Sequence, residues 1–581
     1  MNLYENCNSN DQLFKSFEEI SESSIYECQH FIPIYNSIFS SLDKNKDRHL
    51  EGYYNIQDVL NQQTYNTYTC KLKDKHKNII QRDVFLKYSP IIDPIKYLLG
   101  KYDNEDNITL PNINNECSED KINRIHNSAY VDGFFSYLTS CLNENNKFIH
   151  GIQFYGSFLA KKQNFKIDIC DELDYLLDSK HFTNHINDTF TLENVDINDL
   201  VPNTKKKKIQ IDNNDIPLEL SNIDEMNKLN ELFNTSNSET EADTNINAEE
   251  ITITLDTISN EKNCSQHSKS NSTNSSCSSR SSNTLDDSED DLEDELDDEL
   301  EDNSDDDLDE NMSDDENSLE SDEEVNAIIQ EMPVNIICLE KCDNTLDYLL
   351  VNDELTIEGL ESCLFQVIMI LLTYQKLFSF THNDLHTNNI MYINTDKPYI
   401  YYCYQKKYYR IPTFGKIFKI IDFGRAIYKY NNVTYCSDSF NKDGDAATQY
   451  NIPPFFNENK PRVEPNYSFD LTRLASAMFD FIVDDNFEQL ESLKVIPVYE
   501  AIIDWCTDDK GRNILYKQNG DERYPDFKLY KMITRTVHNH TPENQLKRPC
   551  FAKYSIAKKK VTKKQILNID SLMEQYLTTS P

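Results

Sequence analysis

Two short stretches hold most of the side chains able to do chemistry: His382-Asn383-Asp384-Leu385-His386-Thr387-Asn388-Asn389 and Ile421-Asp422-Phe423-Gly424. Asp384 offers a carboxylate that could orient a hydroxyl and take its proton. Asn389, five residues on, offers an amide oxygen, and Asp422 offers a second carboxylate on a turn that Gly424 is expected to permit. Oxygen donors of this kind suit a hard cation such as magnesium. A carboxylate beside them completes the set that phosphoryl transfer requires, because positioning and charge balance supply most of that catalysis. Each stretch alone is also an ordinary polar turn, since Asn and Asp are common turn residues. Their pairing, with Phe418-Lys419-Ile420-Ile421 reading as a strand just before the second, favours the chemical reading.

The elements that must position these groups are legible from periodicity. Residues 65–71 alternate and are rich in Tyr and Thr, a charged turn follows, and Asp83-Val84-Phe85-Leu86-Lys87-Tyr88 reads as the second strand of an antiparallel hairpin. Residues 126–142 place Tyr130, Phe134, Tyr137 and Leu138 on one helical face, despite Gly133. Strands are expected at Ile152 to Leu159 and Pro333 to Leu339, and a long helix from Thr356 to Phe380 with Leu360, Leu364, Val367, Ile368 and Leu371 at helical spacing. A Tyr-rich hairpin, Tyr399 to Ile411, separates the two chemical stretches, and helices are expected near 467–483, 494–506 and 525–537. Strands with one helix, then mostly helices, predict an α+β fold of two lobes with a cleft between them.

The net charge is -43, and the 25 acidic residues between Asp286 and Glu324, where no basic residue occurs, account for more than half of it. From about 190 to 330 the chain is Asn-rich, then Ser-rich, then acidic, a composition that cannot bury enough apolar surface to order itself. A disordered acidic insertion is expected there, either as a solvated block or as a surface for basic protein partners. The lysine clusters at 205–208 and 558–564 lack interleaved aromatics, so no specific nucleic-acid site is expected. Fifteen cysteines without a Cys-x-x-Cys pair point to reduced thiols in an intracellular, cytosol-like compartment and exclude a zinc-finger framework. The polar N-terminus lacks a secretory signal, and the most apolar run, Cys363 to Leu372, is short for a bilayer, so no membrane association is expected.

His382-x-Asp384-Leu385-x-x-x-Asn389 followed by Asp422-Phe423-Gly424 resembles the eukaryotic protein-kinase superfamily. The Tyr-rich hairpin and the segment Asp443 to Asn466 look most like the kinase-like proteins of giant DNA viruses, a group with a similar Asn/Lys/Ile-rich composition. The resemblance implies a bilobal kinase fold using ATP and Mg2+, with phosphoryl transfer to Ser/Thr hydroxyls of a protein substrate. It implies Asp384 as the residue orienting the hydroxyl, Lys87 as the grip on the α- and β-phosphates, and Asn389 and Asp422 as metal ligands. It also implies Leu60 and Tyr68 around the nucleotide, the Glu340 carbonyl and the Cys342 amide facing its purine, Asp132 as the helix acid paired with Lys87, and Asp470 as a brace for the loop backbone. His382 would be structural, packed under Phe423.

The chain departs from that pattern at several points. Where three glycines should cover the phosphates stand Asn61, Gln63 and Asn66. Asn383 replaces an arginine used in loop-phosphorylation control, and His386 replaces a phosphate-binding lysine, a spelling shared with small-molecule kinases. Two further readings therefore stand beside a protein kinase: a pseudokinase or scaffold presenting the acidic insertion, and a small-molecule kinase. The expected layout is an N-terminal extension (1–45), N-lobe (46–190), insertion (191–330), last strand and hinge (331–342), C-lobe (343–555) and basic tail (556–581).

Overall fold

The computed structural model describes residues 5–6, 10–20, 24–39, 49–102, 109–111, 121–194, 325–483, 490–558 and 566–572. The acidic tract, the 205–208 lysines and most of the 558–564 lysines lie outside the described residues.

The N-terminal half is a curled antiparallel sheet. Its strands are β1 (Ile25–Gln29), β2 (Tyr54–Gln62), β3 (Thr67–Asp74), β4 (Ile79–Pro90), β5 (Phe154–Asp168), β6 (Phe190–Glu193) and β7 (Asn326–Glu340), in the order β1-β5-β7-β4-β3-β2, with β6 also on β7. The alternation in 65–71 and 83–88 becomes the pairing of β3 with β4, Thr67 opposite Phe85 and Tyr68 opposite Val84. One face, carrying Tyr68, Val84, Leu86, Tyr88 and Cys338, is covered by helix α1 (Asp11–Glu19) through Leu13 and Phe17. Residues 1–45, read in the sequence only as an extension, thus provide a cover helix and an edge strand, β1 on β5. Strand β7 starts at Asn326, inside the stretch assigned to the insertion; Asn326 pairs with Glu193 of β6, so the two flanks of the low-complexity segment meet side by side.

The other face receives helix α2 (Ser128–Asn146), capped by the Asn127 side chain accepting from the Ala129 amide. Gly133 sits where the helix crosses β7: a Cβ there would come 3.0 Å from the Asn335 amide nitrogen, which donates to the Ala129 carbonyl at 2.7 Å. The glycine therefore serves close helix–strand approach.

The C-terminal half is more helical. Helix α3 (Ile357–Phe378) is long and apolar enough by length and composition to cross a bilayer, yet almost all of it is buried inside the protein. Its start is capped by Thr356 and its end by Ser379 in the left-handed region. Strands β8 (Ile390–Asn394), β9 (Tyr399–Tyr404), β10 (Lys407–Pro412) and β11 (Lys416–Ile420) follow; β8 pairs with β11, and the β9–β10 hairpin projects between them. After the hairpin β12 (Ile427–Tyr430) and β13 (Val433–Cys436) come α4 (Phe469–Phe479), α5 (Pro497–Trp505) and α6 (Phe527–Thr536). Short strands β14 (Ser555–Ile556) and β15 (Ile566–Asn568) extend the Tyr-rich hairpin to a four-stranded sheet, so part of the expected tail is folded. Every described cysteine is a free thiol.

Candidate active site

Lys87 leaves β4 opposite Ile337 of β7, on the face turned away from α1. Its ammonium lies 2.7 Å from Asp132 Oδ2 and 2.8 Å from Asp422 Oδ1, and the three side chains are only 13%, 3% and 14% exposed. Asp132 stands in the second turn of α2, and its Oδ1 accepts the Phe423 amide at 3.0 Å. One carboxylate therefore ties the strand lysine, the helix and the Asp-Phe-Gly turn together. Burial pushes the Asp132 carboxyl above its ordinary range, and Lys87 offsets this only in part. Burial also opposes ionisation of Asp422, but the Lys87 charge and hydrogen bond, with His382, pull it down to about 2. Two carboxylates share one ammonium, so the cluster has negative charge to spare.

Gly424 is not the hinge of this turn. The left-handed residue is Asp422 itself, at φ +62°, while Gly424 keeps a negative φ and its amide donates to Asp422 Oδ1 at 3.3 Å. A non-glycine in this region carries backbone strain. Here it is held by the Lys87 bridge in front and by His382 behind, whose Nε2 donates to the Ile421 carbonyl at 2.9 Å. His382 packs 5.8 Å from the Phe423 ring centroid.

The loop bearing Asp384 is held from below. Asp470, fully buried on α4, accepts the amides of His382 and Asn383 at 2.9–3.1 Å. Asn389 Nδ2 donates to the Asp384 carbonyl at 2.9 Å and to His386 Nε2 at 3.0 Å. Two acceptors around one nitrogen fix the amide's orientation and leave Oδ1 as the oxygen that could ligate a cation. Burial lowers the His386 ring below its ordinary range, which keeps it neutral and able to accept at Nε2.

Asp384 is 14% exposed. Burial works against its charge, but the guanidiniums of Arg425 and Arg473 hold its carboxyl below the usual range. Arg425 Nη1 lies 3.8 Å from Asp384 Oδ1 while its Nη2 binds Asp445, and the Tyr530 hydroxyl donates to the same Oδ1 at 3.0 Å. Asn383, at φ +67°, accepts from the Tyr450 hydroxyl and donates to the Arg425 carbonyl, each at 2.8 Å.

Lys87, Asp132, Asp384 and Asp422 line one cavity of about 220 Å³, with Arg425 and Asp445 at its wall. Asn389 adjoins it through its bond to Asp384. Leu60, Tyr68, Glu340 and Cys342 are not part of that lining. For Tyr68 the expectation fails on strand register: it opposes Val84, three residues from Lys87, so it points to the other face, where it is buried against Phe17 and accepts the Tyr88 hydroxyl at 2.9 Å. Leu60 is 38% exposed at a bulge of β2. The Glu340 side chain turns inward to the buried Lys419 and the Gln153 amide. The turn at Asn61, Gln63 and Asn66 uses no left-handed residue; Gln63 and Thr64 amides donate to the Thr67 carbonyl at 2.8 and 3.2 Å, and Gln63 Nε2 bridges Thr69 and Asp83.

Sequence reasoning missed Arg425, Tyr530, Arg473 and Asp445. Arg425 directly follows the Asp-Phe-Gly triplet and was open to notice. Tyr530 lies 146 residues from Asp384 and had no local signal.

No family model matches the chain. Over 186 residues it is 26% identical to a protein of Acanthamoeba polyphaga mimivirus named "Putative serine/threonine-protein kinase R301". That match takes in 30% of this chain and 44% of the relative, so the chain spans less than half of it. The similarity is that of a distant relationship to the kinase superfamily.

Proposed function

We propose that this protein is a phosphotransferase of protein-kinase type that uses ATP and magnesium and acts on Ser/Thr hydroxyls. The observation that carries the reading is the Lys87 ammonium bridged between Asp132 and Asp422 in the cavity that Asp384 also lines. The sheet-plus-helix half above a helical half, with the site between, supports it, as does the distant viral relative.

The residues fit the group they would hold. Asp422 and the free Asn389 Oδ1 are hard oxygen donors suited to magnesium. Among the described residues no three His, Cys, Asp or Glu side chains form a metal cluster, so the cation would complete its shell with phosphate oxygens. ATP supplies the γ-phosphoryl group. Lys87 neutralises phosphate charge, and Asp384, kept ionised, orients the acceptor hydroxyl and takes its proton. Asp470 and Asn389 hold the loop so that this carboxylate needs little reorganisation.

A non-catalytic scaffold is the second reading. The side-chain-closed turn at Gln63, in place of glycines, favours it, because backbone amides there approach a phosphate less closely. Melting with and without Mg-ATP, together with transfer of labelled γ-phosphate mapped by mass spectrometry, decides between them. The expected results are an upward shift in melting temperature, label on Ser/Thr, loss of transfer in Asp384→Asn, and loss of both transfer and magnesium-dependent nucleotide binding in Asp422→Ala. Transfer unchanged in either variant would refute these roles.

A further inference from the structure

We propose that Tyr530 is a positioning residue for Asp384: it holds one carboxylate oxygen so that the other is presented to the acceptor hydroxyl. The inference rests on the phosphotransferase reading and adds a residue to it.

The direction of the hydrogen bonds carries the argument. Arg473 Nε donates to the Tyr530 hydroxyl oxygen at 2.9 Å. A guanidinium is a donor only, so the phenolic oxygen must accept from it, and its single proton is left to donate. The atom it meets is Asp384 Oδ1, at 3.0 Å. Among the described residues nothing hydrogen-bonds Oδ2. The carboxylate is therefore held at one oxygen and open at the other, the arrangement a hydroxyl-orienting base needs.

Tyr530 is also fixed in place. It is 6% exposed on α6, its ring stacks on Phe527 at 5.4 Å and packs near Phe469 at 6.1 Å. The guanidiniums of Arg473 and Arg425 lie 5.2 and 5.9 Å from its ring centroid. A side chain so enclosed has little freedom to leave Asp384, which argues for a fixed support and against a displaceable plug. Arg473 comes from α4, the helix that also carries Asp470. One helix thus braces the loop backbone directly and its carboxylate through Tyr530.

The test uses the full chain with Mg-ATP labelled in the γ-phosphate, read as the initial rate of label on the chain's own Ser/Thr against ATP concentration. Tyr530→Phe keeps the ring and removes the hydroxyl. Its saturating rate is expected to fall about ten- to a hundredfold, the scale of a misplaced catalytic group. The KM for ATP and the melting shift induced by Mg-ADP stay unchanged. Arg473→Gln, which leaves the phenol but frees it, is expected to lose rate in the same direction and by less. A wild-type saturating rate in Tyr530→Phe, or a loss confined to KM, overturns the proposal and leaves the proposed function standing. If Tyr530→Phe does not fold, an unaltered saturating rate in Arg473→Gln overturns it. Wild-type label no greater than that of Asp384→Asn instead defeats the phosphotransferase reading, and this inference with it.

Discussion

Lys87 is the cation on which two acidic side chains from distant segments converge, and its removal is more than the loss of a ligand. Without it Asp132 and Asp422 would face each other inside the protein with no counter-charge. Breaking a buried pair from one side costs about 3–5 kcal/mol. Lys87→Met is expected to lower stability by about 3 kcal/mol, seen as an earlier urea midpoint. Asp132→Asn should cost clearly less, because Lys87 keeps Asp422 and one like charge disappears. Equal losses in the two variants would contradict the shared-ammonium picture. Lys87, Asp384, Asn389 and Asp422 were legible because each sits in a short run with its own spacing. Asp132 was harder, since residues 91–125 intervene, and Tyr530 was invisible, because its partner is reached only through α4 and α6.

The segment after Asp422 is tied down by the protein's own carboxylates. Asp445 binds Arg425. Asp438 Oδ1 accepts the Ser128 amide at 2.9 Å at the start of α2, with Lys121 3.9 Å from its other oxygen. A carboxylate at a helix N-terminus answers both an open N–H and the positive end of the dipole. Asn383, in place of an arginine, is occupied by Tyr450 and the Arg425 carbonyl. Since acidic side chains already fill these places, treatment with a phosphatase is expected to leave transfer activity unchanged; a strong drop would show that loop phosphorylation matters. Asp438→Asn should weaken the start of α2 by about 1 kcal/mol, read as several-fold faster hydrogen exchange in its first turn. The α2 and β3–β4 elements were readable from periodicity. The roles of β1 and β15 were not, because edge pairing depends on partners far along the chain.

The two halves and the Tyr-rich sheet meet at His150. Its Nδ1 donates to the Phe418 carbonyl at 2.8 Å and its Nε2 accepts the Tyr402 hydroxyl at 2.7 Å. Burial lowers the ring to about 4 from 6.5. His126 is likewise lowered to about 4 and His30 to about 3, burial being the main cause in each. A histidine whose folded value lies below its unfolded one stabilises fully above the unfolded value, and that contribution is lost as pH falls towards the folded one. Melting temperature is therefore expected to be level above about pH 6.5 and to fall steadily towards pH 4, with His150 alone contributing about 3 kcal/mol to the change. A melting temperature flat from pH 7 to 4.5 would contradict this.

Periodicity and residue type, being local properties, were enough to indicate strands followed by helices, a low-complexity segment between two strands, and four polar groups suited to phosphoryl chemistry. Which face each side chain took was another matter. Tyr68 lies behind the sheet because pairing with Val84 sets its side, the strained residue of the turn is Asp422 because Lys87 and the Ile421 carbonyl hold it from two directions, and Asp384 gained Tyr530 because two helices pack beneath it. Register and helix packing join residues far apart in the chain, and no window of neighbouring residues contains that information.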